Sequence, residues 1–419
     1  MPFSTLGFSP KLLPLLLRAA ADKGFTIPTP VQLAAIPAFL QGRDVLCSAP
    51  TGSGKTAAFA LPLLHQISER PARLAGKTRA LVLVPTRELA AQVGEVFVAF
   101  AKYLPQPVKV AVVFGGVAIN PQMMNLRGGA DIVVATPGRL IDLIEHNALG
   151  LSHVKALMLD EADKLLDMGF ADELTNILSL LPTQRQNALF SATFAPAIEA
   201  LASQLLRDPL RINVAAESDT QPEIVQRAID VDTPRRTQLL RYLIQTEKWA
   251  PVLVFVATKH AAEIVADKLR KANIEAEPFH GGLSQGKRSQ VLMDFKSGVV
   301  QVVVATDVAA RGLDIKALPV VVNYDLPRSS DDYIHRIGRT GRAGLAGLAI
   351  SFVSAGTQAH WRLIEKRQGI KALREQVAGF EVNELAAANQ SDPSGTGGVK
   401  GKRPSKKDKL RAAAAAALR

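Results

Sequence analysis

The stretch VLCSAPTGSGKTAAFALPLL, residues 45–64, joins a short apolar run, a glycine-rich loop and an amphipathic segment of helical length. Gly52 and Gly54 allow the backbone to curl so that its N–H groups point at phosphate oxygens beside a helix N-terminus. Lys55 suits β- and γ-phosphates, and the Thr56 hydroxyl suits Mg²⁺. The stretch therefore predicts an α/β domain that binds a nucleoside triphosphate. We assign the whole loop to nucleotide binding: Ala49, Pro50, Thr51, Gly52, Ser53, Gly54, Lys55 and Thr56.

Short continuous apolar runs, which are typical of buried parallel strands, recur along the rest of the chain. They lie at residues 44–49, 80–85, 108–114, 131–136, 154–160 and 187–193, and again at 226–232, 251–258, 274–280, 301–307, 319–325 and 347–353. Helix-length amphipathic segments separate most of them, so each half should form a mostly parallel sheet flanked by helices. We predict domains at residues 1–206 and 225–385, a turn-rich hinge at 207–224, and a disordered basic tail at 386–419.

Composition favours a polyanionic partner, nucleic acid before an anionic membrane surface. The chain has 419 residues and a formal net charge of +12. Residues 391–419 hold eight Lys or Arg and two Asp, so half of that charge lies in the tail. The single cysteine, Cys47, excludes a disulfide within the chain, and no apolar run reaches the ~18 residues of a membrane span. We expect a cytoplasmic protein with no membrane partner.

Carboxylates follow the apolar run VKALMLD, residues 154–160. The carboxyl ends of parallel strands share one sheet edge, so Asp160 should lie near the phosphate loop and bind Mg²⁺. Glu161 is then placed to orient or deprotonate an attacking water molecule. Asp163 is better suited to contacting other segments than to the chemistry itself.

The spelling DEAD at residues 160–163, with the segments around it, resembles the DEAD-box RNA helicases of helicase superfamily 2 over roughly residues 1–385. DEADKLLDMGF and the short basic tail resemble bacterial RhlE-type members most. The resemblance implies two RecA-like domains in a monomer that uses ATP and Mg²⁺ to unwind short RNA duplexes or remodel RNA–protein complexes. It also implies partners in ribosome assembly or RNA decay.

The resemblance assigns further residues to the nucleotide. GFTIPTPVQ, residues 24–32, matches the family's adenine motif, in which Gln32 would bind the base. Phe3 would stack on the adenine; Phe8 is an alternative, and ordinary core packing is open for either. Asp314 would bond the ribose hydroxyls. The HRIGRTGR segment (335–342) would supply two arginine fingers for the transferring phosphoryl group, Arg339 and Arg342.

The remaining motifs resemble coupling and RNA-contacting segments. Ser191 and Thr193 of SAT would hydrogen-bond Asp163 and its surroundings, and His335 and Arg336 would bridge to the first domain's carboxylates and to SAT. PTREL (85–89), Gly115-Gly116 and TPGR (136–139) each follow an apolar run, so they should gather at one sheet edge and bind RNA backbone. The residues assigned to RNA are Pro85, Thr86, Arg87, Gly116, Thr136, Pro137, Gly138, Arg139 and Thr306.

Two alternatives remain open. A DNA helicase or translocase could use the same two-domain core, although Gln32 and the spelling DEAD favour RNA. An RNA chaperone or clamp could use ATP only as a switch, although every residue needed for hydrolysis is present in the sequence.

Overall fold

The computed structural model describes residues 3–50, 52–69, 77–214, 224–310, 318–341, 346–370 and 372–383. Strands of the first domain are β1 Val45–Ser48, β2 Ala80–Leu83, β3 Val110–Val113, β4 Ile132–Ala135, β5 Ala156–Leu159, β6 Gln186–Ser191 and β7 Leu210–Asn213. Its helices are α1 Leu13–Asp22, α2 Pro30–Leu40, α3 Lys55–Glu69, α4 Arg87–Ala101, α5 Asn120–Leu126, α6 Pro137–Glu145, α7 Ala162–Asp167, α8 Ala171–Ser179 and α9 Pro196–Leu205.

The second domain repeats the alternation of strands and helices. Its strands are β8 Ile224–Asp230, β9 Val252–Val256, β10 Ala276–Phe279, β11 Val302–Thr306, β12 Val320–Asn323, β13 Gly347–Val353 and β14 Leu373–Glu375. Its helices are α10 Arg236–Thr246, α11 Lys259–Arg270, α12 Gln285–Lys296, α13 Asp307–Ala310, α14 Ser330–Ile337 and α15 Gln358–Gln368. Single 3₁₀ turns lie at Phe3–Thr5, Thr233–Arg235 and Ala355–Thr357.

Each domain is built on one seven-stranded sheet. The strand order is β3-β4-β2-β5-β6-β1-β7 in the first and β10-β11-β9-β12-β13-β8-β14 in the second. Neighbouring strands of both sheets run parallel. This confirms the predicted fold class, two tandem RecA-like domains with helices on both faces of each sheet.

Burial on both faces explains the continuous apolar runs. In β2, Ala80 and Val82 belong to the hydrophobic cluster on one face of the sheet, and Leu81 and Leu83 belong to the cluster on the other. Successive strand residues point to opposite faces, so a strand covered on both faces needs apolar residues at every position.

Two edge strands were not predicted. β7 lies within the segment predicted as a hinge and pairs with β1, so the hinge prediction is wrong for Leu210–Asn213. In β7 only Ile212 is fully buried, and Arg211 and Asn213 are exposed, as expected for an edge strand rather than a buried one. The short β14 likewise pairs only with β8. The predicted tail lies outside the described residues.

A search of the described part of the chain for helices long and apolar enough to cross a membrane finds none.

Candidate active site

The phosphate loop is hydrogen-bonded to the first turn of α2 and its cap. Gly54 lies in the left-handed region with φ of +88°, a conformation that favours glycine. Thr29 Oγ1 donates a hydrogen bond to Ser53 O at 2.7 Å, and Gln32 Nε2 donates to Gly54 O at 3.2 Å. Gln32 Oε1 accepts from Thr29 N–H at 3.0 Å, which completes a capping box at the start of α2. In this structure Gln32 therefore fixes the loop, and its contact with adenine stays a prediction.

Lys55 and Asp160 come together at one sheet edge, as predicted. Lys55 opens α3, and its buried Nζ donates to Ala49 O at 2.7 Å. Asp160 directly follows β5 and is 3% exposed. Its burial raises the pKa of the carboxyl to about 6, while the nearby Lys55 ammonium lowers that pKa. The structure thus places a cation and a carboxylate beside the loop that was assigned to phosphates.

Glu161 has a conformation that the sequence did not reveal. Its φ and ψ of 52° and 51° are left-handed, at the position that caps α7. Such a conformation costs a non-glycine residue about 1–3 kcal/mol and tends to persist at functional sites. Glu161 Oε1 lies 2.7 Å from Lys164 Nζ. Its Oε2 is buried and has no hydrogen-bond partner among the described residues.

The donor set fits Mg²⁺ bound together with a nucleotide. Thr56, on the first turn of α3, and Asp160, after β5, supply a hydroxyl and a carboxylate at the same sheet edge. The described residues contain no cluster of three or more His, Cys, Asp or Glu that could hold a metal alone. Mg²⁺ at phosphate sites usually takes one or two protein oxygens and completes its shell with phosphates and waters.

Asp163 contacts the SAT segment through a different atom from the one expected. Its Oδ2 accepts a hydrogen bond from the backbone N–H of Ala192 at 3.3 Å. Ser191 Oγ instead accepts from Thr193 N–H at 3.3 Å, so the predicted side-chain bonds from Ser191 and Thr193 to Asp163 are wrong. Ser48 Oγ donates to Ala192 O at 3.2 Å, which links the segment to β1. Asp163 therefore contacts the SAT segment as predicted, but through the backbone of Ala192 and not through the hydroxyl groups of the segment.

A cleft of about 300 Å³ separates the two domains beside Asp163. The first domain contributes Asp163 and Thr193 to its walls, and the second contributes Ile334 and His335. His335 therefore faces the coupling segment of the first domain, as the motif implied.

Arg336 does not bridge the domains, so its predicted role is wrong. Its guanidinium makes a bidentate pair with Asp307, at 2.6 Å and 2.8 Å, and donates to Asn323 Oδ1 at 3.0 Å. It also stacks 4.9 Å from the centre of the Phe255 ring. Arg336 is 2% exposed, and a buried cation needs a full set of partners, which the second domain supplies by itself.

Of the two predicted arginine fingers, the structure describes only Arg339. Arg339 is 9% exposed and lines a small cleft of the second domain with Asp307, Asp332 and His335. Three other predicted nucleotide-site residues lie outside the described residues: Thr51, Asp314 and Arg342.

The aromatic residues proposed to stack on adenine are buried. Phe3 is 3% and Phe8 7% exposed, and both belong to the core of the first domain. Phe8 packs edge-on against His65, with ring centroids 5.6 Å apart. No open ring face is available on either, so the assignment of Phe3 to stacking is wrong for this structure and core packing describes both.

The segments assigned to RNA meet at one sheet edge, as predicted. Arg87 Nη1 lies 3.5 Å from Gly116 O, and Thr136 Oγ1 accepts a hydrogen bond from Gly115 N–H at 3.3 Å. Strands β2, β3 and β4, which precede these segments, are neighbours in the sheet. The other assigned residues fall at corresponding strand ends: Pro85 and Thr86 before α4, Pro137 and Gly138 at the start of α6, and Thr306 at the end of β11.

Arg139 supports this edge from within. It is 7% exposed, donates from Nη2 to Val117 O at 2.7 Å and pairs with Asp142 at 3.4 Å. Its charge is therefore used to hold the loop after β3. The prediction that Arg139 presents charge to RNA is wrong in this structure, whereas Arg87 is only half-buried at the edge.

A buried ion pair joins the two domains, and sequence reasoning missed it. Arg288 Nη2 lies 2.8 Å from Glu88 Oε1, and the two side chains are 5% and 6% exposed. Arg288 also stacks 4.8 Å from the centre of the Phe279 ring. Both charges lie inside quoted motifs, PTREL and HGGLSQGKR, but their pairing depends on how the domains meet.

Comparison with known proteins agrees with this geometry. The DEAD/DEAH box helicase family model matches residues 29–201, and the helicase conserved C-terminal domain matches residues 235–344. The DEAD-box ATP-dependent RNA helicase CshA of Streptococcus pneumoniae is 42% identical over 365 residues, covering 87% of this chain and 68% of that protein. The chain belongs to the DEAD-box helicase family.

Two other similar proteins define the extent of the likeness. The ATP-dependent RNA helicase DeaD of Mycobacterium tuberculosis is 45% identical over 354 residues, which are 84% of this chain and 62% of that protein. This chain thus spans less than two thirds of the length of that DEAD-box relative. The solved structure of S. cerevisiae Dbp5 bound to RNA and ADP BeF3 is similar with a TM-score of 0.76 and 32% identity, over 90% of this chain and 95% of that one. The finer likeness to RhlE-type members stays a prediction.

Proposed function

We propose that this chain is an RNA-stimulated ATPase and ATP-dependent RNA helicase that acts as a cytoplasmic monomer. It would unwind short RNA duplexes or remodel RNA–protein complexes. The observation that carries the proposal is a divided site. Lys55, Asp160 and Glu161 lie in the first domain, and the cleft beside Asp163, at the end of the same motif, is walled by His335 of the second. The likeness to Dbp5 in a complex with RNA and ADP BeF3 supports the same two ligands.

The residues present account for ATP hydrolysis without a covalent intermediate. Backbone N–H groups of the phosphate loop and Lys55 hold the phosphates. The free Oε2 of Glu161 accepts a hydrogen bond or a proton from the attacking water. Arg339 and Arg342 stabilise negative charge on the transferring phosphoryl group. Mg²⁺, held by Thr56 and Asp160, supplies further charge neutralisation at the phosphate oxygens when it is bound.

The divided site couples RNA to ATP. RNA backbone bound at the β2–β4 edge of the first domain and at the β11 end of the second favours the arrangement in which the domains meet. The same arrangement forms the Glu88–Arg288 pair, and it would bring Arg339 and Arg342 towards the nucleotide. Ligands that favour one arrangement raise each other's affinity. Closure that bends one strand would destabilise a local duplex, and hydrolysis with phosphate release would reopen the site.

The partner proposed is RNA read through its backbone. Backbone contacts fix the position of a nucleic acid and carry no sequence information. The basic tail would add salt-sensitive affinity of the same kind. Natural substrates in ribosome assembly or RNA decay fit this lack of sequence preference.

Replacing Glu161 with Gln tests the proposal. The amide cannot take a proton, so RNA-stimulated ATP turnover should fall by about 10²–10⁴-fold while ATP and RNA still bind. Turnover is measured with and without RNA, and strand separation is measured on matched RNA and DNA duplexes. Turnover at the parent rate in Glu161→Gln would overturn the role of Glu161. Unwinding of DNA as fast as RNA would favour a general translocase, and an RNA-independent ATPase rate would favour a clamp.

A further inference from the structure

We propose that Lys164 is a positioning residue for Glu161, and that it sets the orientation of the carboxylate that acts on the attacking water. The inference rests on the proposed function of Glu161 as the residue that activates water. Lys164 acts through Glu161 and is not assigned a contact with ATP.

The contact between the two side chains is short and enclosed. Lys164 Nζ lies 2.7 Å from Glu161 Oε1, and the side chains are 8% and 10% exposed. An exposed pair at this i,i+3 spacing contributes little to a helix because water screens it. Enclosure removes that screening, so the ammonium fixes the carboxylate much more firmly than a surface lysine could.

The backbone and the ion pair divide the two carboxylate oxygens between two tasks. Glu161 leaves β5 with a left-handed φ of 52°, which turns its side chain away from the direction a regular helix would give. Oε1 is then held by Lys164. Oε2 is buried and has no hydrogen-bond partner among the described residues, so one oxygen is anchored and the other has no competing partner.

The charges at this sheet edge also require Lys164. Asp160 and Glu161 are consecutive carboxylates, 3% and 8% exposed. Lys55 and Lys164 are the ammonium groups whose charges act on Asp160. Lys55 is directed to the phosphate loop through Ala49 O, which leaves Lys164 as the cation paired with Glu161. Loss of Lys164 would leave two neighbouring buried carboxylates to repel each other, which would displace Glu161.

Steady-state ATPase kinetics of Lys164→Met, Lys164→Arg, Glu161→Gln and the Lys164→Met/Glu161→Gln double variant test the inference in saturating RNA. Displacement of a reacting group by about 1 Å costs up to about 100-fold, so Lys164→Met should lower kcat between about 10-fold and 100-fold. KM for ATP should stay unchanged. Lys164→Arg, which keeps the charge, should recover most of the rate. In the Glu161→Gln background, Lys164→Met should cause no further loss.

Two results would overturn the inference. One is a Lys164→Met kcat equal to or above that of the parent. The other is an equal fractional loss in the presence and absence of Glu161, which would indicate a general effect on the fold. If Lys164→Met does not fold, Lys164→Gln takes its place. Turnover at the parent rate in Glu161→Gln would instead overturn the proposed function, so the two failures are distinguishable.

Discussion

The two domains share one strand order but differ after their first strands. In the first domain, β1 is followed by the phosphate loop and α3. In the second, β8 leads through the 3₁₀ turn Thr233–Arg235 into α10. There the Asp232 carboxylate accepts the backbone N–H of Asn383 at 3.0 Å, and Arg235 lies 5.0 Å from the centre of the Phe380 ring. A later segment of the chain thus packs against the turn that follows β8.

The loops that follow β2 and β3 in the first domain resemble those that follow β9 and β10 in the second. Thr86 after β2 and Thr258 after β9 both cap the next helix by accepting a backbone N–H from three residues on. A Gly-Gly pair follows β3 at 115–116, and another follows β10 at 281–282. The duplicated fold therefore keeps its proposed RNA edge in both halves, whereas the proposed nucleotide chemistry belongs to one half and is completed by the other.

Removing the cation that follows the first strand should have a large effect on turnover in the first domain and none in the second. Lys55→Ala removes the cation assigned to the phosphates, and RNA-stimulated turnover should fall by about 10²–10³-fold, as when one preorganised electrostatic contact is lost. Arg235→Ala, at the corresponding place in the second domain, should leave turnover unchanged. It should lower stability by about 0.5–1 kcal/mol through loss of the contact with Phe380.

ATPase assays measure the turnover of both variants, and thermal unfolding measures their stability. Equal loss of turnover in the two variants would show that the second domain also binds the nucleotide at this position, and the asymmetry would be wrong.

Breaking the contact between the halves should have a smaller effect. A close charge pair between two surfaces can be worth about 1.5 kcal/mol or more, so Arg288→Ala should lower the RNA-stimulated rate by roughly 10-fold to 100-fold. The loss would come from a smaller closed population, because open domains can hydrate Glu88 again. Fluorescence transfer between dyes on the two domains, with RNA and a non-hydrolysable ATP analogue, measures that population.

Arg211→Ala is the control, because Arg211 pairs with Glu199 on the surface of the first domain alone. It should change neither closure nor turnover, since exposed pairs contribute little. Glu88→Arg with Arg288→Glu should restore part of the closure. An Arg288→Ala protein that closes like the parent would show that the pair accompanies closure without stabilising it.

A change at the contact between Gln32 and the phosphate loop should have the smallest effect on ATP binding. A Cβ at Gly54 would overlap Gln32 Nε2, and φ there is +88°. Gly54→Ala should therefore weaken ATP binding by roughly 5-fold to 10-fold, the equivalent of about 1 kcal/mol of backbone strain. Gly286→Ala in α12 is the control, because no atom lies within 4 Å of a Cβ built there. Titration with a fluorescent ATP analogue measures the affinity of both variants. Equal affinities would mean that the contact between Gln32 and the phosphate loop is dispensable for ATP binding.

Local sequence patterns allowed much of this fold and site to be predicted. Buried strands need apolar residues on both faces, so the twelve predicted runs were visible, including those of the edge strands β3 and β10. The edge strands β7 and β14 are more exposed and carry polar residues, so they were missed. Lys55 and Asp160 were found because the phosphate loop and the strand end carry their own context.

Residues whose role depends on distant partners could not be predicted. Arg336 is held by Asp307 and Asn323 from two separate strand ends, which the motif that contains it does not specify. The Glu88–Arg288 pair requires the domains to meet. The left-handed backbone of Glu161 follows from the strand-to-helix turn, and no glycine marks it in the sequence.

The most direct test of a site divided between two domains is the RNA-stimulated ATPase rate of Arg339→Ala, read beside its affinity for ATP. Arginines that stabilise a transferring phosphoryl group are worth about 10³–10⁵ in rate. The stimulated rate should therefore fall by about 10³-fold or more, while ATP still binds to the first domain. Turnover that RNA stimulates as strongly as in the parent would contradict the claim that the second domain completes the site.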